Sequence, residues 1–295
     1  MLIAMAKRIL LFVVTNLAIV FTLTIVLQIL GISGYVRVGG RLDLGALMTY
    51  SLIWGMGGAF ISLLMSRWIA KMSMGVKLVD GSTGSPDLDW LYRTVQRLAS
   101  QAQLPMPEVG VYDSPEVNAF ATGPSKSRSL VAVSTGLLRS MRQDEIEGVL
   151  AHELAHVKNG DMVTMTLIQG VVNAFVIFLA RLIGSLVRGS DSRNGQMLSF
   201  IVTMVLQVVL GFLGLIVVAW FSRAREFRAD AGGAALAGRG NMISALRRLQ
   251  GTHELVDTSQ PQLATLKISG ARASMLFSTH PPLEERIAAL ERLHA

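Results

Sequence analysis

His152-Glu153-Leu154-Ala155-His156 is the stretch from which the rest of the chain is best read. Apolar residues at Ile146, Val149, Leu150, Leu154 and Val157 recur at helical spacing around it, so the segment reads as a helix with one buried side. Ser140 with Gln143 reads as a capping box at its start, and Gly160-Asp161 ends it. On such a helix the two histidines stand one turn apart on one face, and both imidazoles reach a single metal ion. Glu153 lies beside that face, placed to take a proton from a zinc-bound water whose pKa the metal lowers toward about 7. The bland alternative is a pair of helix histidines with core or surface roles. It leaves the capped, apolar-backed setting without a purpose.

Upstream of this helix the sequence is soluble in character. Pro86-Asp87 opens an amphipathic helix carrying Leu88, Leu91, Val95 and Leu98, which Leu104-Pro105-Met106-Pro107 ends. Strand-like stretches follow at 108–112, 117–121 and 130–134, separated by Asp113-Ser114-Pro115 and Gly123-Pro124-Ser125. Downstream the apolar character rises sharply from Met162 to Val187 and again from Met197 to Phe221, with the polar linker 188–196 between, a pattern that predicts a membrane hairpin. Two more apolar runs precede the soluble part. One spans Ile9 to Leu30, too long for a signal peptide and without a small-residue cleavage pattern; the other spans Gly45 to Met65 and holds Gly55, Gly58, Ala59 and Ser62, which either let membrane helices approach closely or are small residues a span simply tolerates.

Composition agrees with four crossings. The 295 residues are 51% hydrophobic and 16% charged, with a mean hydropathy of +0.49, well above that of an ordinary soluble domain. The net charge of +7 has no basic block interleaved with aromatics, so nucleic acid is not an expected partner. Basic residues instead flank the apolar runs. Lys7-Arg8, Arg67, Lys71, Lys77, Arg223, Arg225 and Arg228 place both termini in the cytoplasm, against a smaller opposing count at Arg37, Arg41, Arg188 and Arg193. The expected organisation is an N-terminal helix pair over 1–71, a first catalytic segment over 72–161, a membrane hairpin over 162–221 and a second catalytic segment over 222–295. Because the ligand-bearing helices adjoin the third and fourth runs, the metal is expected near the cytoplasmic headgroups.

The chain has no cysteine, so a metal must be held by histidine and carboxylate. Catalytic zinc takes three protein ligands and keeps one position open. Glu226, just beyond the last apolar run, is a candidate for the third, with Asp161 next in line. Asp230 falls one turn after Glu226 and is placed to accept the outer N–H of a ligand histidine. Spacing alone equally allows both acids to be solvated charges paired with Arg223 or Arg228.

Four segments resemble the HtpX family of bacterial membrane-integrated heat-shock metalloproteases, gluzincins related to the CAAX prenyl endopeptidases. They are residues 116–123 (Glu-Val-Asn-Ala-Phe-Ala-Thr-Gly), the H-E-x-x-H with Asn159-Gly160-Asp161, the E-x-x-x-D of Glu226 and Asp230, and Thr279-His280-Pro281-Pro282. The resemblance implies an α+β, mainly α-helical integral membrane protein with about four transmembrane helices and a gluzincin-like cytoplasmic domain. It implies one Zn2+ on His152, His156 and Glu226, and an ATP-independent endopeptidase of the inner membrane acting on damaged or misfolded membrane proteins. Asn118 is then placed to hold a substrate strand, or is an ordinary turn residue. His280 either stabilises the oxyanion or marks the start of a terminal helix. His253 and His294 read as surface residues. A scaffold with structural zinc would close the fourth position and give Glu153 no role. A zinc transporter would need ionisable residues in the spans, where Arg181 stands almost alone.

Overall fold

The computed structural model describes residues 2–29, 42–187, 193–258 and 278–293. Arg37, Arg41, Arg188, His294 and the side chains of Lys7, Arg8 and His253 lie outside the described residues. Helices dominate: α1 (Leu2–Ile29), α2 (Leu44–Met74), α3 (Pro86–Gln101), α4 (Thr135–Ser140), α5 (Gln143–Asn159), α6 (Asp161–Val187), α7 (Arg193–Ala237), α8 (Arg239–Thr258) and α9 (Leu283–Arg292). Strands β1 (Lys77–Val79), β2 (Glu108–Tyr112), β3 (Ala119–Ser125) and β4 (Arg128–Ser134) form one sheet. The chain divides into two compact units, 1–63 with 164–218 and 64–163 with 219–295.

The first unit is helical. Among the described residues α2, α6 and α7 are long and apolar enough to cross a membrane. Their large side chains point outward: Phe175 is 62% exposed and Phe212 is 55% exposed. Gly55 and Ala174 are buried, and a Cβ on Gly55 would collide with the backbone of Ala174. Gly58 is less tightly placed, and Ser62 is exposed. Arg181 lies over the Tyr50 ring, 4.7 Å from its centroid.

The second unit is built on the sheet, in the order β1-β2-β4-β3. Strand β4 is central and buried from Ser129 to Ser134, as its run Leu130-Val131-Ala132-Val133 requires. It runs parallel to β2 and antiparallel to β3, while β1 pairs antiparallel with β2. One face is covered by Leu91, Val95 and Leu98 of α3 and by Leu150 and Leu154 of α5. On the other, Tyr112, Leu130 and Ala132 meet Ala70 and Met74 of α2. A smaller cluster, Met242, Leu246, Ile287 and Leu290, joins α8 to α9.

Three local expectations change, and one strand was not expected. Ser140 ends α4 and does not cap α5; the cap of α5 is Arg142, whose backbone N–H donates to Glu145 Oε2 at 2.8 Å. The reason is a short helix in between, capped by Ser134, whose Oγ accepts from the Leu137 N–H at 3.0 Å. Strand β3 continues through Gly123-Pro124, which an edge strand tolerates because an outward position needs no N–H. Its register shifts between Thr122 and Ser125, with Gly123 at φ +146°. Residues 193–196 belong to α7 and not to the linker. Strand β1 is too short to leave a pattern in the sequence.

Candidate metal centre

Helix α5 carries His152, Glu153 and His156, with Leu150 and Leu154 anchoring its opposite side in the core. Helix α7 crosses it closely because two glycines leave room. A Cβ on Gly232 would come within 2.9 Å of the Ala155 Cβ, and one on Gly233 within 3.0 Å of the His152 backbone nitrogen. The close crossing brings Glu226 and Asp230 to the histidines.

His152 Nε2 and His156 Nε2 are 3.1 Å apart, and they lie 3.5 Å and 3.4 Å from the two oxygens of Glu226. One donor atom from each of the three residues falls within 4.8 Å of the others, so the group could hold one metal ion. The outer nitrogens are engaged elsewhere. His152 Nδ1 is 2.9 Å from Asp230 Oδ1, and His156 Nδ1 is 2.6 Å from Asp161 Oδ2. With both Nδ1–H groups donating to carboxylates, both Nε2 lone pairs face inward.

Burial sharpens this arrangement. Glu226 is fully buried, and its Oε1 has no hydrogen-bond partner among the described residues. A buried orphan carboxylate oxygen is costly, and a cation bound to it would remove that cost. The donor set of two imidazoles and a carboxylate therefore fits a divalent metal. Protein groups alone also favour positive charge here. Burial pushes the His156 imidazole down, but the Asp161 carboxylate that accepts from it and the nearby carboxylates of Glu226 and Glu153 outweigh burial and raise it to about 9. His152 is raised in the same way, with Asp230 and Glu226 overcoming burial.

Neither Glu226 nor Asp230 is a solvated charge. Arg223 donates to Ser278 O at 2.8 Å and Arg228 lies 3.9 Å from Asp161. Asp230 is instead gripped at both oxygens by Arg286 of α9, Nε to Oδ2 at 2.7 Å and Nη2 to Oδ1 at 2.6 Å. Sequence reading missed Arg286, which sits beside the apolar stripe of Leu283, Ile287 and Leu290. Its signal would have been a buried cation matching Asp230. Asp161, read as a reserve ligand, meets the outer side of His156.

A cleft of about 940 Å3 opens beside these residues, lined by Val117, Asn118 and Ala119 on one side and by His152, Glu153 and Glu226 at the site. Asn118 is exposed at the start of edge strand β3, and its backbone is tied to Ser134: its N–H donates to Ser134 Oγ at 3.1 Å and its carbonyl accepts from the Ser134 N–H at 2.9 Å. His280, 62% exposed, also lines the cleft, and its Nδ1 donates to Glu226 Oε2 at 3.0 Å. It stands two residues before the Pro282 cap of α9.

A helix-borne pair of histidines, a buried carboxylate from a second helix, and apolar helices of membrane-crossing length together define a membrane metalloprotease. Residues 87–294 match Peptidase family M48. The chain is 54% identical to "Protease HtpX homolog" of Verminephrobacter eiseniae, covering 98% of this chain and 99% of that protein. It is 48% identical to "Protease HtpX homolog" of Methylacidiphilum infernorum, at 98% and 99% coverage, and 50% identical to "Protease HtpX" of Thioalkalivibrio sulfidiphilus, at 97% and 99%. The crystal structure of S. mikatae Ste24p shares the fold, with a TM-score of 0.64 at 19% identity over 96% of this chain and 66% of that one. The chain belongs to peptidase family M48.

Proposed function

We propose that the chain is a zinc endopeptidase of the bacterial inner membrane, with His152, His156 and Glu226 as metal ligands and Glu153 as general base. The observation that carries this reading is the convergence of three inward-facing donor atoms beside an open cleft. Zinc suits two imidazoles and a carboxylate, and when bound it acidifies a water and polarises a carbonyl. Glu153, half-buried at the cleft, takes the proton from the attacking water and passes it to the leaving amine. Asp230, held by Arg286, orients His152. A substrate strand adds along the Asn118 end of β3, where the side-chain amide holds its backbone. His280 stands close enough to Glu226 to help hold negative charge at the same place.

The substrates are membrane proteins that are damaged or misfolded, cut on the cytoplasmic side, with α1 as a fourth span. Support comes from the 28 residues of α1 and from the basic flanks of the apolar runs. The test is degradation of casein or a membrane-protein fragment by purified protein, with and without zinc. Glu153→Gln should abolish cleavage and keep bound zinc near one ion per chain. Turnover retained in that variant would remove Glu153 as base.

A further inference from the structure

His152 and His156 are steadied by different parts of the chain. Asp230 on α7 serves His152, with Arg286 behind it. His156 points its outer nitrogen at the first residue of α6, Asp161, which is only 2% exposed and lies 2.6 Å away. Five residues along an unbroken helix, a side chain would be turned about 140° from His156 and could not meet its ring. The break at Gly160 changes that. Gly160 adopts the left-handed conformation at φ +71°, its N–H closes on the carbonyls of His156 and Val157, and Asp161 starts a new helix that returns its carboxylate to the ring. Nothing lies within 4 Å of a Cβ built on Gly160, so the glycine is required by its backbone angle and not by space. The Arg228 guanidinium lies 3.9 Å from the same carboxylate.

We propose that Asp161 is a positioning residue of the metal site: by accepting the Nδ1–H of His156 it directs Nε2 toward His152 and Glu226, and it ties that ligand to the first turn of α6. The inference rests on the reading of His156 as a ligand. A simple helix start would make a different demand, since serine or asparagine begins a helix as well as aspartate does. Serine is too short to span to the ring, whereas asparagine keeps an acceptor without the charge.

The test uses the full-length chain in detergent and zinc alone as the probe. Affinity is measured by competition with a chelating dye, the visible spectrum is recorded with cobalt in place of zinc, and the metal-stripped protein is melted. Asp161→Asn should weaken zinc by about tenfold and Asp161→Ser or Asp161→Ala by about a hundredfold, with an altered cobalt spectrum in the latter two. Folded Ser and Ala variants that bind zinc within about threefold of the parent, with the parental cobalt spectrum, would overturn the role. If Ala and Ser fail to fold, the Asn variant decides, and parental affinity there overturns it. A His156→Ala variant that binds zinc as tightly as the parent would sink the ligand reading itself, which separates the two failures.

Discussion

Along α7, two stretches of one helix follow opposite rules. From Met197 to Phe221 the large side chains face outward, with Val208 60% exposed and Phe212 55%, while Gly214 and Ala219 turn inward. After Phe221 the pattern inverts: Ser222, Glu226 and Asp230 are buried and Arg228 is exposed. The first stretch is what a helix needs when lipid is its solvent, because apolar surface there costs nothing and small residues let helices meet. The second is tolerable only because each buried acid has a cation or an imidazole against it. The contrast shows that the polar stretch is specified by partners far away in sequence, and the apolar stretch by its medium.

The largest expected effect breaks the polar stretch at its centre. Glu226→Gln removes the charged member of the ligand set and should lower zinc affinity by about a thousandfold, roughly 4 kcal/mol, read by dye competition. His152→Ala should match it. Next comes the apolar stretch, where Val208→Arg places a charge on the outward face and should cost about 3 kcal/mol, seen as poor membrane accumulation. The conservative Val208→Leu should be neutral, and a neutral Arg variant would mean this face does not meet lipid.

Between the two in kind, Gly233→Ala adds a methyl 2.8 Å from Met242 Sδ and 3.0 Å from the His152 backbone. It should destabilise by about 1–3 kcal/mol and loosen metal together with the fold, measured by melting with and without zinc. The pH response should differ between metal-stripped and loaded protein. His156 sits near 9 against an ordinary value of 6.5, so its pairing with Asp161 and Glu226 stabilises the stripped fold fully below pH 6.5. That contribution, at most about 3 kcal/mol, is lost as pH climbs through 9. Zinc must displace the same proton, so its affinity should rise over that interval. A stripped-protein melting temperature that rises from pH 6.5 to 9 would contradict the raised value. The smallest effect is Gly160→Ala, about 1 kcal/mol from the left-handed backbone, with a measurable loss of zinc if the turn positions Asp161.

What could be read in advance was what repeats locally. The histidine pair, the apolar runs and the amphipathic α3 each show a period or a length that needs no tertiary knowledge. Glu226 was visible as a candidate because few acids stand close after an apolar run, but spacing could not separate ligation from solvation. Its full burial depends on Gly232 and Gly233, which look unremarkable in a helix until a neighbour is known. Arg286 was hidden for a similar reason: its partner Asp230 lies 56 residues earlier. The Asp161 bond depends on one backbone angle at Gly160, and β3 outruns its expected end because an edge strand forgives Pro124.

The distance between the ligand helices also sets an order of events. His156 leaves the ribosome 70 residues before Glu226, and Arg286 follows after another 60. A growing chain that has completed α5 and α6 thus holds both imidazoles without the buried carboxylate or the guanidinium that fastens Asp230. It cannot assemble the three-donor site, and so cannot attack itself or its neighbours while half made. Chains truncated after Val187 should insert into membranes and retain no zinc through purification, whereas chains extended to Ala295 should retain it. Activity is thereby deferred until Glu226 and Arg286 have been made.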